Sequence, residues 1–217
     1  MSDSNPVKPK EKLLSFETTH PYETLNEWTG ETNRVWVVFH GIGFLSRYFL
    51  RYFSHLDKSE NYIIAPQAPS LYYLDPNYRN VGASWLTREH THRNMENLIN
   101  YLDVLYRQES LEKSPELILM GYSQGVSVLS RWVAARRIQC QRIILYAGKV
   151  PDELTASDFA HLSDQTVVEF YAGDSDAYLP EAARPGLEEQ LLGLFDHRLR
   201  LKYYEGGHEL KANLLRH

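Results

Sequence analysis

The chain has 217 residues, a length that suits one α/β domain whose core needs no covalent staple. Its formal net charge is −5, from 23 Lys and Arg against 28 Asp and Glu, which gives no electrostatic case for nucleic acid or an anionic membrane as partner. Cys140, the one cysteine, excludes an intrachain disulfide and a cysteine-based zinc site and fits a reducing compartment.

Residues 1–12 are polar and mixed in charge, without the apolar stretch of a secretory signal, and read as a flexible arm. Residues 13–217 read as one domain. No window approaches the ~18 apolar residues of a membrane span, so a cytoplasmic protein is expected. Leu14–Thr19 reads as a first strand. Val35–Phe39 is a short, continuously apolar run of the kind covered on both faces. Tyr62–Ala65, closed by Pro66, is another. Leu71–Trp85 reads as irregular and rich in aromatics. Thr91–Gln108 repeats Met95, Leu98, Ile99, Leu102, Leu105 and Tyr106 at helical spacing. Leu117–Met120, Ile143–Tyr146 and Val167–Tyr171 repeat the buried-strand pattern, and Leu199–Tyr204 reads as the last strand. Gln124–Arg137, Glu181–Phe195 and the tail from Glu209 read as helices. Alternating strands and helices imply an α/β fold with a mostly parallel central sheet and helices on both faces. Gly148–Thr166 spans only about 20 residues, short for an inserted cap, so an open, capless site is expected.

Leu117–Met120 leads into Gly121-Tyr-Ser123-Gln-Gly125 and then a helix. This is G-x-S-x-G between a strand and a helix, where a tight turn exposes the serine hydroxyl and the glycines keep Cβ atoms out of a crowded crossing. Serine needs an adjacent base. In α/β hydrolases the order is Ser, acid, His, which leaves His161, His197, His208 and His217. His208 stands after two glycines in the loop that follows the last strand and is the candidate base. The acid is expected after Val167–Tyr171, where Asp174 and Asp176 compete. An acyl oxyanion needs N–H donors: Gln124, next to the serine, and Ile42 in His40-Gly-Ile-Gly43 after the Val35–Phe39 strand. His40 reads as a structural residue of that loop. The aromatic group Phe44, Tyr48, Phe49, Tyr52 and Phe53 reads mainly as core. Phe44, Tyr72, Tyr73, Trp85 and Tyr178 are candidate walls of a substrate groove. His90 and His92 diverge by roughly 200° on a helix, which argues against a shared metal.

H-G-I-G after an apolar strand, Ala65-Pro-Gln-Ala-Pro69, Gly82-Ala-Ser-Trp85, Gly121–Gly125, Gly173–Pro180 and Gly207-His208 occur in one order. That order resembles the phospholipase/carboxylesterase family, which includes bacterial carboxylesterases and acyl-protein thioesterases, over roughly residues 33–215. The resemblance implies an α/β-hydrolase fold, no cofactor, and hydrolysis of small-molecule or lipid-like carboxylic esters or thioesters. It also implies Asp176 rather than Asp174 as the acid. One stretch and one position depart from the family pattern: bulky Phe44–Tyr48 follows H-G-x-G, and Val126 stands where a third glycine is common. Other readings are a catalytically silent binding module, or the same triad acting on amides, lactones or acyl acceptors.

Overall fold

In chain order the structure, a computed structural model that describes residues 9–215, runs β1 (Tyr22–Leu25), β2 (Arg34–Phe39), α1 (Ser46–Phe49), β3 (Asn61–Pro66), β4 (Ser70–Tyr73), β5 (Val81–Ser84), α2 (Thr91–Gln108), β6 (Leu117–Tyr122), α3 (Gln124–Arg136), β7 (Arg142–Tyr146), α4 (Ala156–Phe159), β8 (Val167–Gly173), α5 (Arg184–Phe195) and β9 (Leu199–Tyr204). Seven strands form one sheet in the order β1-β3-β2-β6-β7-β8-β9, and β4 and β5 form a separate antiparallel hairpin. β1 pairs antiparallel with β3, and the remaining neighbours in the large sheet are parallel.

The chain lays β3 on one side of β2 and later β6 on the other. The loops after β2 and β6 therefore leave the same edge of the sheet where the strand order reverses, the place where open α/β sheets form a crevice. Register brings these loops level, with Phe39 opposite Gly121 and Tyr122 opposite Tyr146.

Alternate strand residues feed two cores. Val35, Val37, Phe39, Leu119, Leu145 and Phe170 pack with the buried stripes of α2, α3 and α5. Trp36, Val38, Ile118, Met120 and Ile144 pack on the other face with Phe49, Phe53, Leu210 and Leu215. Each fully buried Phe contributes roughly 1.5–3 kcal/mol relative to an exposed one. The cover is uneven: three long helices lie on the first face, while α1, a 3-10 turn at Leu50–Phe53 and the chain end serve the second.

Several expected elements differ. Leu14–Thr19 forms no strand, and Leu14 and Phe16 are 88% and 80% exposed. The edge strand is Tyr22–Leu25 instead, because this segment meets the free edge of β3, Tyr22 opposite Pro66 through Leu25 opposite Ile63. Among its described residues, the tail from Glu209 forms only a 3-10 turn at Ala212–Leu214. Leu210 and Leu215 both bury into the second core, whereas a straight helix would splay residues five apart by roughly 140°. Leu71–Trp85 contains the β4–β5 hairpin. Its turn is set by Asp75, whose carboxylate accepts the backbone N–H groups of Asn77 and Asn80. The β7–β8 connection folds α4, with a Thr155–Asp158 capping box, back against α3 and α5. Residues 1–8 of the expected arm lie outside the described residues, and residues 9–12 are exposed without regular structure.

Candidate active site

Ser123 sits between β6 and α3 at φ 53° and ψ −116°, a conformation that costs a non-glycine residue of order 1–3 kcal/mol. Its surroundings enforce it. The Ser123 N–H donates to the Tyr146 carbonyl at 2.8 Å. A Cβ on Gly121 would strike the backbone of Gly125, and one on Gly125 would strike the Phe39 carbonyl. Gly148, which no motif singles out, is crowded in the same way by the Ser123 carbonyl.

His208 Nε2 lies 2.9 Å from Ser123 Oγ, and His208 Nδ1 lies 2.7 Å from Asp176 Oδ2. The Asp176 carboxylate is buried, and its other oxygen accepts the Tyr178 N–H at 2.8 Å. A carboxylate only accepts, so the His208 proton belongs on Nδ1 and Nε2 is left to accept from the serine hydroxyl. This arrangement can draw a proton from Ser123. Asp174, two residues earlier, faces solvent. It accepts from Gly206 N–H at 3.0 Å and from the Ser175 hydroxyl at 2.9 Å, and the Gly206 bond leads in holding its carboxyl below the usual range. The two loops are further joined by Asp174 N–H to Tyr204 O and Ser175 N–H to Gly206 O. Tyr122, an unspecified position of the serine motif, donates its hydroxyl to the His208 carbonyl at 2.7 Å. His161 and His197 contact Ile138 and Asp196 instead, and His217 lies outside the described residues.

The facing wall is the loop after β2. His40 is fully buried and its pKa is lowered to about 4 by that burial. Its Nδ1 is 2.7 Å from the Gly41 carbonyl, its Nε2 accepts the Ala68 N–H at 3.2 Å, and its own carbonyl accepts the Trp85 indole N–H at 2.8 Å. β5 continues along this loop, with Gly43 N–H donating to Ala83 O and Ala83 N–H donating to Phe44 O. The Gln124 side chain fastens the end of β5: Oε1 accepts the Trp85 N–H at 2.8 Å and Nε2 donates to Leu86 O at 2.7 Å. The Gln124 backbone N–H, in the first position of α3, has no intrahelical acceptor.

A cavity of about 460 Å³ opens at Ser123, lined by Ile42, Phe44, Tyr122, Gln124, Ser127, Lys149, Tyr178, Leu179 and His208 among others. Of the expected groove residues, Phe44 and Tyr178 line it. Trp85, Tyr72 and Tyr73 do not. The Trp85 indole is buried against His40 and Phe39 as a strut. Tyr72 and Tyr73 lie on the exposed β4, where Tyr73 packs on Tyr78. Phe49 and Phe53 belong to the second core. A wider hollow of about 1270 Å³ runs between residues 13–22 and α2, and it contains none of the Ser123, Asp176 and His208 set. Among the described residues no three His, Cys, Asp or Glu side chains cluster to hold a metal, and no helix is long and apolar enough to cross a membrane. His90 and His92 each face a neighbouring glutamate.

The sheet order and its flanking helices define the α/β-hydrolase fold. No family model matches the sequence, and a search of curated proteins finds no match. Solved structures do match. Esterase PE8 aligns over 89% of this chain and 92% of its own at 22% identity and TM-score 0.65. A phospholipase/carboxylesterase from Dyadobacter fermentans aligns over 90% and 92% at 17% identity and TM-score 0.64. Acyl-protein thioesterase 2 of Zea mays aligns over 89% and 93% at 14% identity and TM-score 0.62. These likenesses, all under 25% identical, support the fold.

Proposed function

We propose that the protein is a serine hydrolase of the phospholipase/carboxylesterase kind that cleaves carboxylic esters or thioesters. The observation that carries this reading is the unbroken chain Ser123 Oγ, His208, Asp176, at 2.9 and 2.7 Å, on a serine turn with positive φ. Ser123 attacks the acyl carbon while His208 takes its proton. Asp176 orients the imidazole and stabilises its cation. The N–H groups of Ile42 and Gln124 receive the oxyanion, each worth roughly 3–4 kcal/mol of barrier. His208 then returns the proton to the leaving alkoxide or thiolate, and activates the water that releases the acid. Phe44, Tyr178 and Leu179 offer apolar contact to the substrate. No step calls for a cofactor. We further propose one hydrolase domain over residues 13–217, in the cytoplasm, where the lone buried Cys140 stays reduced.

The test is initial rates on p-nitrophenyl esters of two to sixteen acyl carbons, together with a serine-directed phosphonate. Turnover and labelling that vanish in Ser123→Ala are expected. Folded wild-type protein that neither turns over an ester or thioester nor takes the label would overturn the proposal in favour of a silent binding module.

A further inference from the structure

For Ile42 N–H to receive an oxyanion, its peptide must be held in one orientation. That N–H and the Gly41 carbonyl belong to one peptide unit, and in a trans peptide they point in opposite directions. Whatever holds the carbonyl therefore aims the N–H. Two donors reach the Gly41 carbonyl: the Phe44 N–H at 3.3 Å across the turn, and His40 Nδ1 at 2.7 Å from inside the protein.

The tautomer of His40 follows from its partners. Nε2 faces the Ala68 backbone N–H at 3.2 Å and the Gln67 amide nitrogen at 3.4 Å. A backbone N–H can only donate, so Nε2 must present its lone pair and the proton must sit on Nδ1. The ring is then a donor toward Gly41. It is also immobile: fully buried, 4.9 Å from the Trp85 ring centroid, with its own carbonyl taking the Trp85 indole N–H. Gly41 lies against the nucleophile, because a Cβ there would sit 3.2 Å from Ser123 Cβ.

We propose that His40 is a positioning residue for catalysis, which as its Nδ1–H tautomer locks the Gly41–Ile42 peptide so that Ile42 N–H faces the acyl oxygen of the substrate. This rests on the serine-hydrolase reading. His40 touches no substrate and transfers no proton. Its effect appears only where negative charge develops, so its loss lowers kcat far more than it raises KM.

Two substitutions separate this role from simple loop support. His40→Asn keeps a donor near the Nδ1 position and loses the Nε2 acceptor. His40→Gln places an acceptor near Nε2 for Ala68 and loses the donor to Gly41. The readouts are kcat and KM on a neutral ester, melting temperature, and affinity for a trifluoromethyl ketone. In that inhibitor Ser123 Oγ bonds to the ketone carbon, its proton passes to His208, and the carbonyl π pair becomes an oxyanion. His40→Gln is expected to lower kcat about 10–100-fold at nearly unchanged KM and to weaken the ketone by a like factor, a part of what losing a whole oxyanion donor costs. His40→Asn should stay within about fivefold of wild type in both, whatever its melting temperature. Equal kcat in the two variants, or activities that simply follow melting temperature, would overturn the proposal. If a variant does not fold, nitrogen-15 shifts of the wild-type imidazole decide: a proton on Nε2 of His40 sinks the idea, and one on Nδ1 upholds its geometry. Wild-type protein without Ser123-dependent turnover fails the underlying hydrolase reading. Wild-type turnover with indistinguishable variants fails this proposal alone.

Discussion

The wall of the cleft that carries Ile42 and Gln124 is fastened from within the core, whereas the wall that carries Asp176 and His208 is fastened largely at the surface. On the first, His40 and Trp85 are buried and the Gln124 side chain grips the end of β5. On the second, the exposed carboxylates of Asp174 and Glu209 hold the N–H groups of Gly206 and Gly207. Asp176 itself is buried, at the point where the two kinds of wall meet. Groups that act by staying still are tied to the packed interior. The loop that carries His208 is held in part by solvent-exposed hydrogen bonds, which are easier to exchange.

That contrast can be broken most severely at Asp176. Asp176→Asn retains shape but favours the wrong His208 tautomer, and kcat should fall by about 10⁴ with folding intact. Asp174→Asn, two residues away, removes only a surface latch and should cost less than about tenfold. Steady-state kinetics of the pair checks both, and a reversed ranking would transfer the acid role to Asp174. A separate effect falls on stability and not on rate. Because the His40 pKa falls from 6.5 to about 4 in the fold, the unfolded chain binds more protons between those values. Stability should therefore drop as pH falls from 6.5 to 4, by about 3 kcal/mol from this residue, and level off below. Urea unfolding across that window should show a shallower slope in His40→Gln. An unchanged slope would mean that His40 is not isolated from solvent protons.

Much of the frame was legible in the sequence because a buried parallel strand must be apolar throughout. Val35–Phe39, Leu117–Met120 and Ile143–Tyr146 announce themselves by composition alone. The serine turn was legible because its residues stand together as G-x-S-x-G between a strand and a helix, and Gly121 answers a collision with Gly125 only four residues on. What could not be read depends on contacts distant in sequence. Gly148 is required by the carbonyl of Ser123, and nothing near it in the chain says so. β4 is exposed at all four positions, so it carries no alternation to betray a strand. The edge strand fell at Tyr22–Leu25 because β3 is in reach there. Trp85 looked like pocket lining from its place in an aromatic stretch, but its indole N–H is drawn inward by the His40 carbonyl. Asp174 and Asp176 differ in burial, which is a property of the fold and not of the local sequence.

The turn at Ser123 has a consequence for how the molecule matures. Its φ of 53° is held by Phe39 at the end of β2, Tyr146 and Gly148 beyond β7, and Gly125 in α3. These contacts come from chain segments more than a hundred residues apart, taking Phe39 with Gly148, and local preference opposes the conformation. A nascent or partly opened chain therefore has an ordinary serine at this position, relaxed to negative φ and without an imidazole beside it. On the proposed hydrolase reading, reactivity arrives late, once the central strands have docked, and is lost early when they separate.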